Sequence, residues 1–314
     1  MAAIVVVHGV GKQYLGPRSL HGGIADALLD GVGLATARDR GAGAGPRLRA
    51  EDVEVAFYGH LFRPPGTKGE PAYTYRDVGE PEEAALLYAW WREAARLEPG
   101  TVPPPDAEAV KAPVPRTVQR ALYALSRSRF LAGTADRFLI GVLKQVRAYL
   151  TDPEVRRRVL DEVAVAVAAD TRVIVGHSLG SVVAYEALCA HPRWPVTDFV
   201  TIGSPLGIPN LVFDRLRPPP EDGRGQWPGR VARWTNLCDS HDVVALAKRL
   251  RPLFGQSPLP GQEPPAGRTQ APPVKRVEDV LVDNGWRAHA IEPHLTAAET
   301  GAAIARALRG PDAP

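Results

Sequence analysis

Cysteine is nearly absent: Cys189 and Cys238 are the only two in 314 residues. A disulfide framework is therefore not expected, and a reducing compartment fits. Long apolar runs are missing too. The stretch from Ala2 to Val7 carries no basic leader, and no segment nears the roughly 18 apolar residues that span a bilayer, so a cytoplasmic chain without a transmembrane segment is expected. Neither sign of charge dominates: 38 Lys and Arg against 35 Asp and Glu leave +3, too little and too evenly spread to nominate nucleic acid or an anionic membrane as partner. The eight histidines and two cysteines lie without ligand spacing, and neither a P-loop nor GxGxxG follows any strand, so no metal or other cofactor is expected. What remains is an ordinary composition, 45% hydrophobic and 23% charged, with enough length for one large elaborated domain.

One pentapeptide carries most of the functional information. Gly176-His177-Ser178-Leu179-Gly180 follows a run from Arg172 that reads as a buried strand, and the residues after it read as a helix. A serine at the tip of a strand–turn–helix, flanked by glycines, is the form of a nucleophile elbow. Composition alone would produce about 0.07 such pentapeptides in a shuffled chain. The competing reading is a glycine-rich turn whose serine caps the helix.

Around the elbow, strands and helices alternate. Ile4 to Val7 is a β-branched run fit for a strand buried on both faces, Ser19 to Leu29 is helical, and Val53 to Tyr58 is a strand. Alternation stops over 63–150. There an amphipathic stretch, Pro81 to Leu97, carries Leu86, Leu87, Trp90 and Trp91, and a second helical stretch runs from Val118 to Leu150. This block is expected to be a helical insertion acting as cap or lid on a core made of 1–62 and 151–314. The core resumes with a helix from Pro153, capped by Asp152, then strand Val173 to Val175, the elbow helix through Ala190, and strands Phe199 to Ile202, Val231 to Leu237 and Val277 to Val282. A Thr296-Ala297-Ala298-Glu299 capping box is expected to open the last helix. The fold class is α/β, a mostly parallel central sheet with helices on both faces and chemistry at the carboxyl ends of its strands.

Ser178 needs a hydrogen-bonded base to take its proton, and in elbow folds the chain order is serine, acid, histidine. That order reduces the histidines to His289 and His294. His289 is preferred because it lies in the loop after the last strand, whereas His294 reads more as a rim residue beside the following helix. Both stay open. For the acid, the strand Val231 to Leu237 is followed by Asp239 and Asp242. Asp242 is favoured because Val243 and Val244 can anchor and bury its backbone, with Asp239 as the alternative. The amides of Leu179, after the serine, and Val10, in the His8-Gly9-Val10-Gly11 turn after the first strand, are candidate oxyanion donors. Ser204 and Pro205 read as a strand-ending turn. Trp90 and Trp91 are candidates to line an acyl pocket, with packing as the plainer alternative.

Taken together, Val5 to Gly11, Val175 to Gly180, Thr201-Ile202-Gly203-Ser204-Pro205 and Asp242-Val243-Val244 resemble α/β-hydrolases of the serine esterase and lipase type. The resemblance covers the sheet but not 63–150. Only Met1 to Ala3 precede the strand that bears the HG turn, so the sheet resembles the shortened forms of that fold. Membership would imply hydrolysis of an ester, thioester or lipid through an acyl-serine, with a small-molecule or lipid acyl substrate. The alternatives are an acyltransferase or cyclase using the same serine, and a non-catalytic binding protein on a hydrolase fold.

Overall fold

The computed structural model describes residues 2–39, 47–63, 71–105, 115–131, 136–255 and 275–309. Six strands, β1 (Ile4–Val7), β2 (Val53–Ala56), β3 (Val173–His177), β4 (Asp198–Ile202), β5 (Arg233–Asp239) and β6 (Val277–Val282), form one sheet in the order β2-β1-β3-β4-β5-β6. Every pairing is parallel, with Ile4 beside Val53 and Val173, and Trp234 beside Val277. Parallel strands need crossovers and bury both faces, which is why β1 and the first three residues of β3, Val173 to Val175, are continuous apolar runs.

Alternate residues of each strand feed two cores. Ile4, Val6, Val173 and Val175 face α1 (Pro17–Arg38) and the C-terminal helices, while Val5, Val7 and Ile174 face the remaining helices. The second core is the larger. It merges α5 (Pro153–Ala166) and α6 (Leu179–Ala190) with three helices from between β2 and β3, α2 (Pro81–Leu97), α3 (Pro115–Ser126) and α4 (Asp136–Thr151), into one apolar cluster. A short helix α7 (Arg251–Phe254) precedes β6, and α8 (Ile291–Thr296) and α9 (Ala298–Arg309) close the described chain.

Several elements differ from their sequence reading for local reasons. Helix α1 runs on to Arg38, past Gly31, where a side chain would overlap the Leu295 carbonyl, so this glycine permits close helix contact rather than ending the helix. The expected helix from Val118 to Leu150 is two helices. Between them the Ser128 hydroxyl donates to Glu98 Oε1 at 2.5 Å and the Arg129 N–H donates to Glu98 Oε2 at 3.1 Å, bonds that pin a turn against the end of α2. Strand β5 continues to Asp239, and Thr296 ends α8 instead of capping α9. Asp152 does cap α5, its Oδ1 accepting from Glu154 and Val155 at 2.9 and 3.2 Å. The Gly41 to Pro46 loop and most of the two Pro-rich stretches, 106–114 and 256–273, lie outside the described residues. No helix among the described residues is long and apolar enough to cross a membrane.

Candidate active site

The elbow follows from two close approaches. Strand β3 ends at His177 and α6 starts at Leu179, leaving Ser178 alone in the turn with φ 52° and ψ −130°. That backbone costs a non-glycine residue about 1–3 kcal/mol. A Cβ on Gly176 would lie 2.5 Å from the Ser181 Cα, and one on Gly180 would overlap the carbonyls of Val7 and His8, so only glycine lets α6 rest against the end of β1. Ser178 N–H donates to the Ile202 carbonyl at 3.1 Å, and the Ser178 carbonyl accepts from Ser181 N–H at 2.9 Å and Ser181 Oγ at 2.6 Å. Ser204 shares this support: its hydroxyl bonds to that of Ser181 at 2.7 Å and accepts from Leu206 N–H at 3.2 Å.

The sheet brings three sequence-distant side chains together at its carboxyl edge. His289, in the loop after β6, has Nε2 2.9 Å from Ser178 Oγ and Nδ1 2.8 Å from Asp242 Oδ2. With Nδ1–H donating to the carboxylate, Nε2 is free to accept the serine proton. Asp242 is fully buried in the loop after β5, and its other oxygen accepts from Val244 N–H at 2.8 Å and Ala245 N–H at 3.1 Å. Burial opposes its ionisation, but the His289 imidazole, the Lys248 ammonium and those amides outweigh it and hold the carboxyl at about 2. The imidazole keeps an edge to solvent, its side chain 26% exposed.

The alternative acid and base sit elsewhere. Asp239 ends β5 and its two oxygens accept from His241 N–H at 2.7 Å and Asn284 N–H at 2.6 Å, tying β5 to the loop that carries His289. His294 is no rim residue: it lies fully buried on α8, its Nδ1 bonded to the Ala290 carbonyl at 2.9 Å. Trp90 and Trp91 are also buried, each 2% exposed in the larger apolar core, and Trp91 Nε1–H donates to the Pro103 carbonyl at 2.7 Å. Packing is therefore their role in this structure.

Donors for a developing oxyanion are available at the same edge. Leu179 is the first residue of α6, where a helix leaves its N–H groups unbonded, and among the described residues neither its amide nor that of Val10 has a protein acceptor. The Val10 turn is held by His8 and Tyr58. The His8 ring stacks on Tyr58 with centroids 4.2 Å apart, His8 Nε2 accepts from Tyr58 N–H at 3.3 Å, and the Tyr58 hydroxyl donates to the His8 carbonyl. Tyr58 had no sequence signal beyond closing a strand.

His177 was legible only as the variable residue of the pentapeptide, yet it braces His289. Its Nε2–H donates to the His289 carbonyl at 2.8 Å, with ring centroids 5.1 Å apart. Burial lowers the basicity of three histidines here: His8 to about 4, and His177 and His294 below the ordinary imidazole range. The sign follows directly. Folded values below the unfolded 6.5 mean that the unfolded chain takes up protons the fold excludes, so stability is complete above pH 6.5 and falls as pH drops toward 4. Each such histidine contributes a slope of up to about 1.4 kcal/mol per pH unit. The urea midpoint is expected to fall clearly between pH 7 and pH 5, and a constant midpoint would contradict the neutral assignment.

Residues of the 63–150 block touch two loops of this edge. Phe138 packs on Gly11, where an added Cβ would lie 2.7 Å from its ring, and Gly11 N–H donates to Gln145 Oε1 at 3.2 Å. Phe130 stacks on His241 beside Asp242 at 5.2 Å. No group of three or more His, Cys, Asp or Glu among the described residues is arranged to hold a metal ion. No family model, curated protein or solved structure matches the chain.

Proposed function

We propose that this chain is a serine hydrolase of the α/β-hydrolase type, cleaving a carboxylic ester, thioester or lipid. The observation that carries the reading is the unbroken relay from Ser178 Oγ through His289 to Asp242, at 2.9 and 2.8 Å. Ser178 Oγ attacks the acyl carbon while His289 Nε2 takes its proton. The carbonyl oxygen becomes an oxyanion facing the Val10 and Leu179 amides, and its collapse expels the leaving group with the proton from His289. Water activated by the same imidazole then releases the acid and restores the serine. Asp242 stays ionised, keeping the imidazole in the productive tautomer and stabilising its cation. The strand order, with the elbow after β3, the acid after β5 and the base after β6, supports the shortened form of the fold.

A fluorophosphonate probe tests the reading, since it reacts only with an activated serine. Labelling mapped to Ser178, followed by turnover of an acyl-ester panel, is the expected result; a folded protein that resists the probe and every ester would overturn it.

The 63–150 insertion serves in this reading as a cap over the acyl site, supported by the contacts of Phe138 with the Val10 turn and of Phe130 with the Asp242 loop. Phe138, 37% exposed, then takes the selectivity role considered for Trp90 and Trp91. Phe138→Ala is expected to shift the preference among ester chain lengths by about 10-fold, the worth of one to two methylene contacts. Trp90→Ala or Trp91→Ala should instead cost about 3–5 kcal/mol of folding stability. An unaltered chain-length profile in the Phe138 variant would remove the cap role.

A further inference from the structure

A groove of 330 Å³ opens beside the Val10 turn, between the loop after β1 and the outer side of α4, and Gln13, Tyr14, Arg63, Tyr73, Lys144 and Arg147 line it. Just behind its walls lie polar groups without partners. Gln13 is only 7% exposed, yet its Oε1 bonds to nothing in the protein, and the buried Tyr14 hydroxyl is likewise unpartnered. Leaving such groups unpaired costs about 1–3 kcal/mol each, a penalty that a polar ligand in the groove relieves once a side-chain rotation brings them to its surface.

The cations of the groove divide by how much of their bonding capacity is used. Lys144 is saturated, its Nζ donating to the Asp77 carbonyl at 2.5 Å and to both Glu83 oxygens at 3.2 and 3.0 Å. Arg147 spends only Nε, on Glu83 Oε1 at 2.9 Å. Arg63 points Nε and Nη2 at the Gln13 carbonyl, at 3.2 and 2.8 Å, and its guanidinium lies 5.5 Å from the centre of the Tyr14 ring. Both arginines therefore keep unused N–H groups. Against the three cations stand the carboxylates of Glu83 and Asp77, the latter committed to Thr74 N–H at 2.7 Å, while Glu82, also near Arg147, is paired with Arg215 at 3.1 Å. One positive charge is left over, next to an idle hydroxyl and an idle amide.

We infer that this groove is a subsite for an anionic, hydroxyl-bearing group of the substrate, a phosphate or carboxylate held by Arg63 and Arg147 with its neighbouring hydroxyl on Gln13. Planar guanidinium edges match either anion, and Tyr14 adds a third donor. The groove is coupled to the reacting end by the chain itself. Gln13 follows Val10 by three residues, at most about 11 Å of backbone, and a narrow crevice that also touches Gly11 and Phe138 shares Gln13, Tyr73 and Gln145 with the groove. The inference rests on the hydrolase reading for its link to turnover, while its binding part stands on the groove alone.

Two arms of one experiment separate these. The kinetic arm compares a neutral aryl butyrate with the aryl hemisuccinate and with an acyl glycerol 3-phosphate. Wild type should favour at least one anionic ester, and Arg63→Gln should lower the anionic-to-neutral ratio of kcat/KM about 10-fold, a loss typical of one charged hydrogen-bonding partner. Tyr14→Phe, which removes a single hydroxyl without disturbing Arg63, should lower it several-fold. The binding arm titrates inorganic phosphate, succinate and glycerol 3-phosphate against thermal unfolding. At about ten times Kd a bound anion should raise the midpoint by about 2 °C, and Arg63→Gln should abolish the rise. Phosphate-only or succinate-only protection identifies the anion. Ester turnover with no anionic preference and no protection overturns the subsite and leaves the hydrolase reading intact. Protection without any serine labelling or turnover keeps the subsite and overturns the hydrolase reading instead.

Discussion

Ser178→Ala is expected to lower ester turnover by about 10⁶-fold while leaving the folding midpoint close to wild type. The substitution keeps the Cβ in the elbow and removes one oxygen, which among the described residues bonds to His289 alone, at 2.9 Å. Strain makes a second variant informative. Because Ser178 sits at φ 52°, Ser178→Gly should relieve the backbone and raise stability by up to about 1 kcal/mol while abolishing turnover as completely. A protein that became more stable as it lost activity would show the serine is held in that turn at a cost to the fold. Residual turnover near wild type in either variant would mean that another group attacks the substrate. Comparison of kcat, probe labelling and thermal midpoint across the three proteins decides it.

The sequence made the elbow legible because its chemistry is local: a glycine on either side of a serine, between a β-branched run and a helix, is visible within ten residues. The sheet was legible for a related reason. Strands buried on both faces announce themselves as apolar runs, and Ile4–Val7 and Val277–Val282 occupy the bounds read from sequence. Long-range partners were harder. Chain order narrowed the base to two histidines, loop position and the Val243-Val244 anchor favoured His289 and Asp242, and the structure joins both to Ser178 in one relay, but nothing in the sequence marked Asp239 as a brace between β5 and the loop holding His289. His177 and Tyr58 were missed because their partners, the carbonyls of His289 and His8, lie 112 and 50 residues away. Trp90 and Trp91 were left open between two readings. An aromatic pair reads equally well as pocket or core, and only the packing of α2 against its neighbours buries them.

Asp242→Asn is expected to cost about 10⁴-fold in turnover, whereas Asp239→Asn should act on stability. The first expectation follows from proton placement. An asparagine can turn its NH₂ toward His289 Nδ1, which then becomes an acceptor and leaves the ring proton on Nε2, so the imidazole can no longer take the proton of Ser178. The carboxylate it replaces is held at about 2 and is ionised throughout the working range. Its contribution to folding is present above the unfolded value of 3.8 and is lost only as pH falls through 2, so activity between pH 5 and 9 carries no limb from Asp242. Asp239 has a different task. Its two oxygens each accept a backbone N–H, from His241 and Asn284, and an amide supplies only one acceptor. One buried N–H would then face a donor, at about 1–3 kcal/mol, and the loop bearing His289 would loosen while Asp242 still oriented the ring. Turnover and urea midpoints of both variants form the test. A four-decade loss in Asp239→Asn with little change in Asp242→Asn would reassign the acid and, with it, the relay on which the hydrolase reading stands.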